Sequence, residues 1–99
     1  MKNFRLSLSP AAIAHIIKIA DWYNEQSKGL GSRFKKSLKT ELITVKKRPF
    51  ARSFRYDNVR LAVLKNFPYA AHYTVDEDNS VIVIHAVFGF KENPEKWEK

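Results

Sequence analysis

The chain has 99 residues and a formal net charge of +8, from 18 lysines and arginines against 10 acidic residues. This length supports one domain, residues 1–99, with a single hydrophobic core, and it is too short for two. The 44% of hydrophobic residues exclude a disordered chain, and the absence of cysteine excludes disulfides and a thiolate zinc site. A small domain this basic typically binds an acidic partner, whether nucleic acid, an anionic membrane or an acidic protein.

The sequence contains no apolar run of about 20 residues and no signal-peptide pattern. We therefore expect a soluble, cytoplasmic protein that does not enter a membrane. The three histidines are scattered, and no carboxylates stand near them at ligand spacing. We accordingly expect no metal and no cofactor.

The first half of the chain predicts a short strand followed by two amphipathic helices. Phe4 to Leu8 alternates apolar and polar residues, as a half-buried strand does. Ser9 and Pro10 are suited to be the N-cap and the first residue of a helix. Two glycines, Gly29 and Gly31, then mark a short connection to a second helix. The first helix carries an apolar stripe at helical spacing, formed by Ile13, Ile16, Ile17, Ile19, Ala20 and Tyr23.

The second helix is predicted to begin near Leu30 to Ser32 and to end before Pro49. Its apolar line consists of Leu30, Phe34, Leu38, Leu42 and Val45. Its other side is strongly basic, since the segment from Lys28 to Arg48 has eight basic residues and a single acid, Glu41. Such a face can simply keep a small domain soluble, but this density of cations favours a contact surface for a partner.

The second half of the chain predicts three successive antiparallel strands. They are Leu61 to Lys65, Tyr69 to Val75 and Val81 to Phe88, with Asp76 to Ser80 as a hairpin loop between the last two. The third strand is apolar at nearly every position, so we place it in the middle of the sheet. Both helices are expected to pack on one face of this sheet.

Alternation along the second strand assigns its side chains to two faces of the sheet. The apolar face, which we expect in the core, carries Tyr69, Ala71, Tyr73 and Val75. Pairing Val75 with Val81 would also place His85 in the core, where it would be hydrogen bonded. Arg60 and His72 fall on the other face, which is less suited to packing the helices.

The connection from Pro49 to Asp57 mixes aromatic residues with arginines and has room for a short strand around Phe54 to Tyr56. Its alternating residues are Phe50, Arg52, Phe54, Arg55 and Tyr56. These aromatic rings could stack on nucleotides, or they could hold the loop against the core. The sequence does not separate the two interpretations.

An ordered set of residues extends over nearly the whole chain: LSPAA (Leu8 to Ala12), Ile16, Ile19, Tyr23, LGSRF (Leu30 to Phe34), Arg60, FPY (Phe67 to Tyr69), Tyr73, Ala86, Val87, Pro94 and Trp97. This set resembles the RelE/ParE superfamily, the small bacterial toxins of type II toxin–antitoxin (plasmid stabilisation-like) systems, and most closely its ParE-like branch. The resemblance implies an α+β fold with an N-terminal strand, a helical hairpin and then a three- to four-stranded antiparallel sheet. Both helices would pack on one face of that sheet.

The resemblance also implies partners and a toxic action. A cognate antitoxin, usually acidic in its binding segment, would wrap the toxin in a hetero-oligomer, and a homodimer is the alternative assembly. The toxin would poison DNA gyrase, as ParE-type members do, or cleave mRNA on the ribosome, as RelE-type members do. Many ParE-like relatives carry a His and Arg cluster after the last strand, where this chain has Gly89 to Asn93 and only Lys91 is basic. A weakened toxicity or a shifted target would follow from that departure.

Cleavage of RNA through its 2′-hydroxyl needs a base, positive charge at the phosphate and an acid for the leaving oxygen. The catalytic candidates are Arg60, His72 and Lys91, with Arg55, Lys65 and Tyr73 as further members of the set. For Arg60, binding of a partner and a plain solvated charge both remain open.

Binding of a target or an antitoxin is assigned to seven cations: Arg33, Lys36, Arg52, Arg55, Arg60, Lys65 and Lys91. Because the acid/base set is incomplete, the sequence favours a non-enzymatic inhibitor of a protein such as DNA gyrase. The alternatives are a metal-independent mRNA endonuclease and a nucleic-acid-binding module without toxicity.

Overall fold

Two helices and one five-stranded sheet form the fold in the computed structural model, which describes residues 3–89. The elements are β1 (Arg5–Leu8), α1 (Pro10–Gln26), α2 (Leu30–Lys47), β2 (Phe54–Tyr56), β3 (Val59–Val63), β4 (Tyr69–Asp76) and β5 (Val81–Gly89). The strand order is β1-β5-β4-β3-β2, with β1 parallel to β5 and every other pair antiparallel.

The α+β class and the order of elements are confirmed, but the sheet differs from the expectation in two ways. It has five strands rather than three or four, because β1 joins β5 in parallel and the short β2 adds to β3. The middle strand is β4 rather than β5, since two strands lie beyond β4 on one side and β5 has only β1 outside it. The last strand is nevertheless an interior strand, as its apolar sequence requires.

The start of α1 matches the prediction and also ties the helix to the sheet. The Ser9 hydroxyl accepts the Ala12 N–H at 3.1 Å, which satisfies one of the orphan donors at the helix start. The same hydroxyl donates to the His85 carbonyl at 3.0 Å. The Ser9 side chain therefore caps α1 and also fixes the start of this helix against β5.

The two helices lie close to each other at Gly31. A Cβ atom at this position would lie 2.4 Å from the Ala20 carbonyl oxygen and 2.7 Å from the Asn24 side-chain nitrogen. Gly29, the N-cap of α2, has a φ of 85° and offers no side-chain cap. Asn24 of α1 replaces it, because its Oδ1 accepts the Gly31 N–H at 2.8 Å.

The core lies between the helical pair and one face of the sheet. From α2 it takes Phe34, Leu38, Leu42 and Val45, as predicted. From α1 it takes the small residues Ala12 and Ala20, with Ile16, Ile19 and Tyr23 packed against it. The predicted α1 stripe was too wide, because Ile13 and Ile17 remain 44% and 52% exposed. The arc of a helix that can face a sheet is narrower than the arc of its apolar residues.

The register between β4 and β5 is shifted by one residue from the predicted one at the hairpin itself, and a further irregularity lies between His72 and Tyr73. Val75 pairs with Ile82 rather than with Val81, and Tyr73 pairs with Ile84. His85 therefore drops out of the paired positions and is exposed, with its Nε2 atom 2.7 Å from the Thr74 hydroxyl. The prediction that His85 is a core residue is wrong, because the shifted register places Ile82 and Ile84 on the core face and turns the next residue, His85, outward.

Beyond the end of β1, a side chain of α1 forms a hydrogen bond with the edge of β5. The last β1–β5 pair is Leu8 with Ile84. Further along, the Val87 N–H donates to Nδ1 of His15 in α1 at 3.2 Å, and the His15 ring lies 5.1 Å from the Phe88 ring. The parallel strand can thus be short without leaving this strand N–H unsatisfied.

We expect Gly31→Ala to destabilise the protein, although alanine normally favours a helix over glycine by about 1 kcal/mol. The new methyl group would force the two helices apart at Ala20 and break the contact with Asn24. The expected loss is roughly 1–3 kcal/mol in the free energy of unfolding, measured by urea denaturation. Ser32→Ala, on an exposed neighbouring position, is the control and should change little. An unchanged or increased stability of Gly31→Ala would contradict the close packing of the two helices.

Candidate functional site

A groove of about 860 Å³ runs between the outer side of α2 and the connection from β3 to β4. Three of the predicted binding cations, Arg33, Lys36 and Lys65, line it and are exposed. Arg33 and Lys36 lie one turn apart on α2, and Lys65 follows β3. The structure therefore brings three cations from distant parts of the chain to one concave surface, which we call the basic groove.

The two walls of the basic groove are fastened to each other. The Ser37 hydroxyl of α2 donates to the Lys65 carbonyl at 2.8 Å. Next along the β3–β4 connection, Asn66 has a φ of 68°, a left-handed conformation that asparagine tolerates better than most residues. This hydrogen bond holds the connection against α2, so the groove is formed without a partner.

The floor of the basic groove is apolar and aromatic. Tyr23, Leu30 and Phe67 are half-buried there. The Tyr23 and Phe67 rings meet edge to face at 5.1 Å, and the Phe34 ring lies 5.6 Å from Phe67 in the same arrangement. Burial, with the nearby Tyr69, raises the pKa of Tyr23, so its phenol stays neutral. An apolar side chain of a partner could be buried on this floor.

Sequence reasoning missed part of this groove. It placed Leu30 in the core line and did not single out the hydroxyl row of α2. That row is formed by Ser37, Thr40 and Thr44, which all line the groove. Their spacing of three and four residues puts them on one flank of the helix, which was a readable signal.

Arg52, a fourth predicted binding cation, is used inside the molecule. Its guanidinium forms an ion pair with Glu41, and both side chains are largely buried. Glu41 is the single acid of the basic segment and lines the basic groove. The pair therefore neutralises the acid of the groove and leaves Arg52 with little charge to offer a partner.

Arg60 is held by the loop that precedes it. Its Cζ atom lies 4.1 Å from the centroid of the Phe54 ring and 5.5 Å from that of Phe50, which are cation–π distances. Its guanidinium also donates to the Arg52 carbonyl. Phe50 and Phe54 thus hold the loop through Arg60, which is one of the two roles foreseen for these aromatics.

The prediction that Arg60 lies on the face away from the helices is wrong. Arg60 pairs across the strands with Tyr73, whose side chain is fully buried in the core. The Tyr73 hydroxyl donates to the Pro49 carbonyl at 3.1 Å and so fixes the start of the same loop. Burial raises the pKa of Tyr73, which keeps this donor protonated.

His72 lies on the opposite face of the sheet and is buried. Its Nδ1 atom is 3.1 Å from the Tyr56 hydroxyl, and its ring meets the Phe88 ring edge to face at 5.1 Å. We expected this sheet face to be open and polar, but at His72 it is covered. Tyr56 thus holds the connection between α2 and β3 from this face of the sheet. This is the second of the two roles predicted for the aromatic residues, holding the loop rather than stacking on nucleotides.

The remaining candidates do not complete a catalytic set in the part of the chain that the structure describes. Arg55 is exposed on β2, and Lys91 lies outside the described residues. Arg60 and His72 are on opposite faces of the sheet. Among residues 3–89 no group of histidines and carboxylates could hold a metal ion, and neither described helix is long and apolar enough to cross a bilayer.

We expect Arg60→Lys to loosen the loop although it keeps the charge, because lysine lacks the planar fork that stacks on two rings. The free energy of unfolding should fall by about 1–2 kcal/mol. Amide hydrogen exchange should become faster at residues 50–56. Arg33→Lys, on an exposed position, is the matched control and should change neither quantity. Equal behaviour of the two variants would show that Arg60 is an ordinary surface charge.

The sequence matches, over residues 6–94, the family described as the ParE toxin of the type II toxin–antitoxin system parDE. No curated protein sequence matches the chain at a significant level.

Several solved structures share the fold. A chain of the chromosomal ParDE system from P. aeruginosa has a TM-score of 0.75 at 16% identity, over 88% of this chain and 96% of that one. A chain of the intact E. coli RelBE complex has a TM-score of 0.69 at 22% identity, over 91% and 99%. A mutant E. coli RelE toxin in complex with an antitoxin RelBc peptide also has a TM-score of 0.69 at 22% identity, over 98% of this chain and 93% of that one.

The family match covers most of the sequence, and the fold agrees with it from β1 to β5. The resemblance seen in the ordered residues is thereby confirmed. The chain belongs to the ParE toxin family of type II toxin–antitoxin systems.

Proposed function

We propose that this ParE-type toxin arrests growth by binding and inhibiting DNA gyrase, without chemistry of its own, and that a cognate antitoxin neutralises it. The observation that carries the proposal is the separation of the candidate catalytic residues. Arg60 contacts the loop on the helix side of the sheet, and His72 is buried on the other side. The family match supports gyrase as the target, as the resemblance to ParE-type members implies.

RNA cleavage would require these groups to act at one phosphate. A general base and an acid must each reach the reacting atoms within hydrogen-bond distance, next to a cation that stabilises the developing charge. Two side chains on opposite faces of a sheet cannot do this together. Inhibition by binding needs only a complementary surface, and the exposed cations of the basic groove supply one.

For the antitoxin, the exposed apolar side of the helical hairpin provides the docking surface. Ile13 and Ile17 lie one turn apart on α1, and Ile43 of α2 is 44% exposed. Ile43 lines a second groove, of about 960 Å³, together with Arg5, Lys46 and Lys47. An amphipathic antitoxin segment with acidic residues fits this combination of aliphatic side chains and cations. The solved ParDE, RelBE and RelE–RelBc peptide complexes of the same fold support such a partner.

The target is tested with the purified protein in two parallel assays. We expect loss of DNA supercoiling by gyrase in the first, and intact mRNA in a cell-free translation reaction in the second. Induction in cells should stop DNA replication before mRNA is lost. Defined mRNA cleavage in the ribosomal A site with gyrase unaffected would instead establish the endonuclease. Salt-sensitive nucleic-acid binding without growth arrest would establish the non-toxic module.

The antitoxin surface is tested with Ile17→Glu, which places a charge on the exposed apolar side. Because Ile17 is 52% exposed, the free energy of unfolding should change by less than about 1 kcal/mol. Affinity for the cognate antitoxin, measured by calorimetry, should fall about tenfold or more. Val63→Glu, at a similarly exposed position on β3, is the control. Neutralisation of Ile17→Glu as complete as that of the control would place the antitoxin elsewhere.

A further inference from the structure

We infer that the basic groove binds an acidic segment of the target protein, with one apolar side chain of that segment seated on the Tyr23, Leu30 and Phe67 floor. The inference rests on the proposed function, namely that the toxin acts by binding a protein. Beyond that function, it identifies the surface that binds the target and the chemistry of the bound segment. It also separates this surface from the antitoxin site.

Charge is the first argument. Arg33, Lys36 and Lys65 are exposed and make no ion pair with a described residue, while Glu41, the carboxylate of the lining, is neutralised by Arg52. The groove therefore has an uncompensated positive charge inside a concave surface. Such surfaces attract acidic segments and orient them as they approach.

Preorganisation is the second argument. The hydrogen bond from Ser37 to the Lys65 carbonyl joins the walls, and the ion pair with Arg52 holds the Glu41 side chain in place. A partner segment would meet a groove whose walls are already in place, so little ordering of the toxin opposes binding. The hydroxyl of Thr40, exposed on the α2 wall, can bond the main chain of an extended segment.

The floor favours a peptide over a nucleic acid. Single-stranded nucleic acids bind to aromatic side chains whose faces are free to stack on bases. Here the Tyr23 ring contacts four other aromatic rings, those of Trp22, Phe34, Phe67 and Tyr69. The Tyr23 ring is thus already packed against aromatic neighbours, whereas a leucine-sized side chain needs only apolar area.

Location favours the target over the antitoxin as the source of the segment. The proposed antitoxin surface uses Ile13 and Ile17 of α1 and Ile43 of α2. Ile43 lines the second groove, and none of these three residues lines the basic groove. The two grooves share no lining residue, so each can be altered without replacing a residue of the other.

The decisive variant is Arg33→Glu/Lys36→Glu, and its matched control is Lys35→Glu/Lys39→Glu. Both pairs lie exposed on α2 and change the net charge equally, but only the first lines the groove. We expect the groove variant to lose growth arrest and gyrase inhibition while keeping its affinity for the cognate antitoxin. The control should arrest growth like the original protein. Equal toxicity of the two variants, or loss of antitoxin binding alone in the groove variant, would overturn the inference.

A direct binding assay uses a short fluorescein-labelled peptide in which glutamates flank a single leucine, and a labelled oligothymidylate of similar length. The peptide should bind the original protein and lose about tenfold or more in affinity, or about 1.4 kcal/mol, on the groove substitution. Its amide shifts should map to residues 30–44 and 65–67. Tighter groove-dependent binding of the oligothymidylate would assign the site to nucleic acid and overturn the inference.

Thr40→Trp provides a second test that leaves the charge unchanged. Thr40 is exposed and lines the groove, so an indole there obstructs it without disturbing the core. We expect loss of growth arrest with an unaltered melting temperature, which separates obstruction from misfolding. Full toxicity of Thr40→Trp would overturn the inference. Failure of the original protein to inhibit gyrase would refute only the proposed target, because growth arrest is scored independently.

Discussion

The burial of one side of α2 is the constraint on which the rest of the molecule depends. Phe34 and Val45 are completely buried, and Leu38 and Leu42 nearly so, which fixes the rotation of the helix about its axis. Once the apolar line faces the sheet, the cations of a segment with eight basic residues and one acid must face outward. The flank of α2 that meets the β3–β4 connection then becomes a basic groove with an apolar floor.

Residues of the same type have very different roles in this small domain. Arg52 and Arg60 are used in internal contacts, one with Glu41 and the other with two aromatic rings and a backbone carbonyl. Arg33, by contrast, is exposed in the groove. Charge density alone therefore favoured a partner surface, whereas the contacts show which cations are already used inside the molecule.

The parts of the fold that depend on local sequence could be predicted, and the parts that depend on distant pairing could not. The Ser9 cap and the buried line of α2 follow from neighbouring residues and are confirmed. The register of β4 with β5 is shifted by one residue from the hairpin onward, which exposes His85, and nothing in the local alternation marks this shift. The surroundings of Arg60 likewise come from Phe50 and Phe54, whose rings fold back onto it across the β2–β3 turn.

The measurement that tests the central claim most directly is hydrogen–deuterium exchange of the toxin, alone and with purified gyrase. If the outward flank of α2 is the target surface, amides of the β3–β4 connection and of α2 should become protected in the complex. The exposed side of α1 around Ile13 and Ile17 should exchange as in the free toxin. Protection confined to α1, with the groove unchanged, would contradict the account.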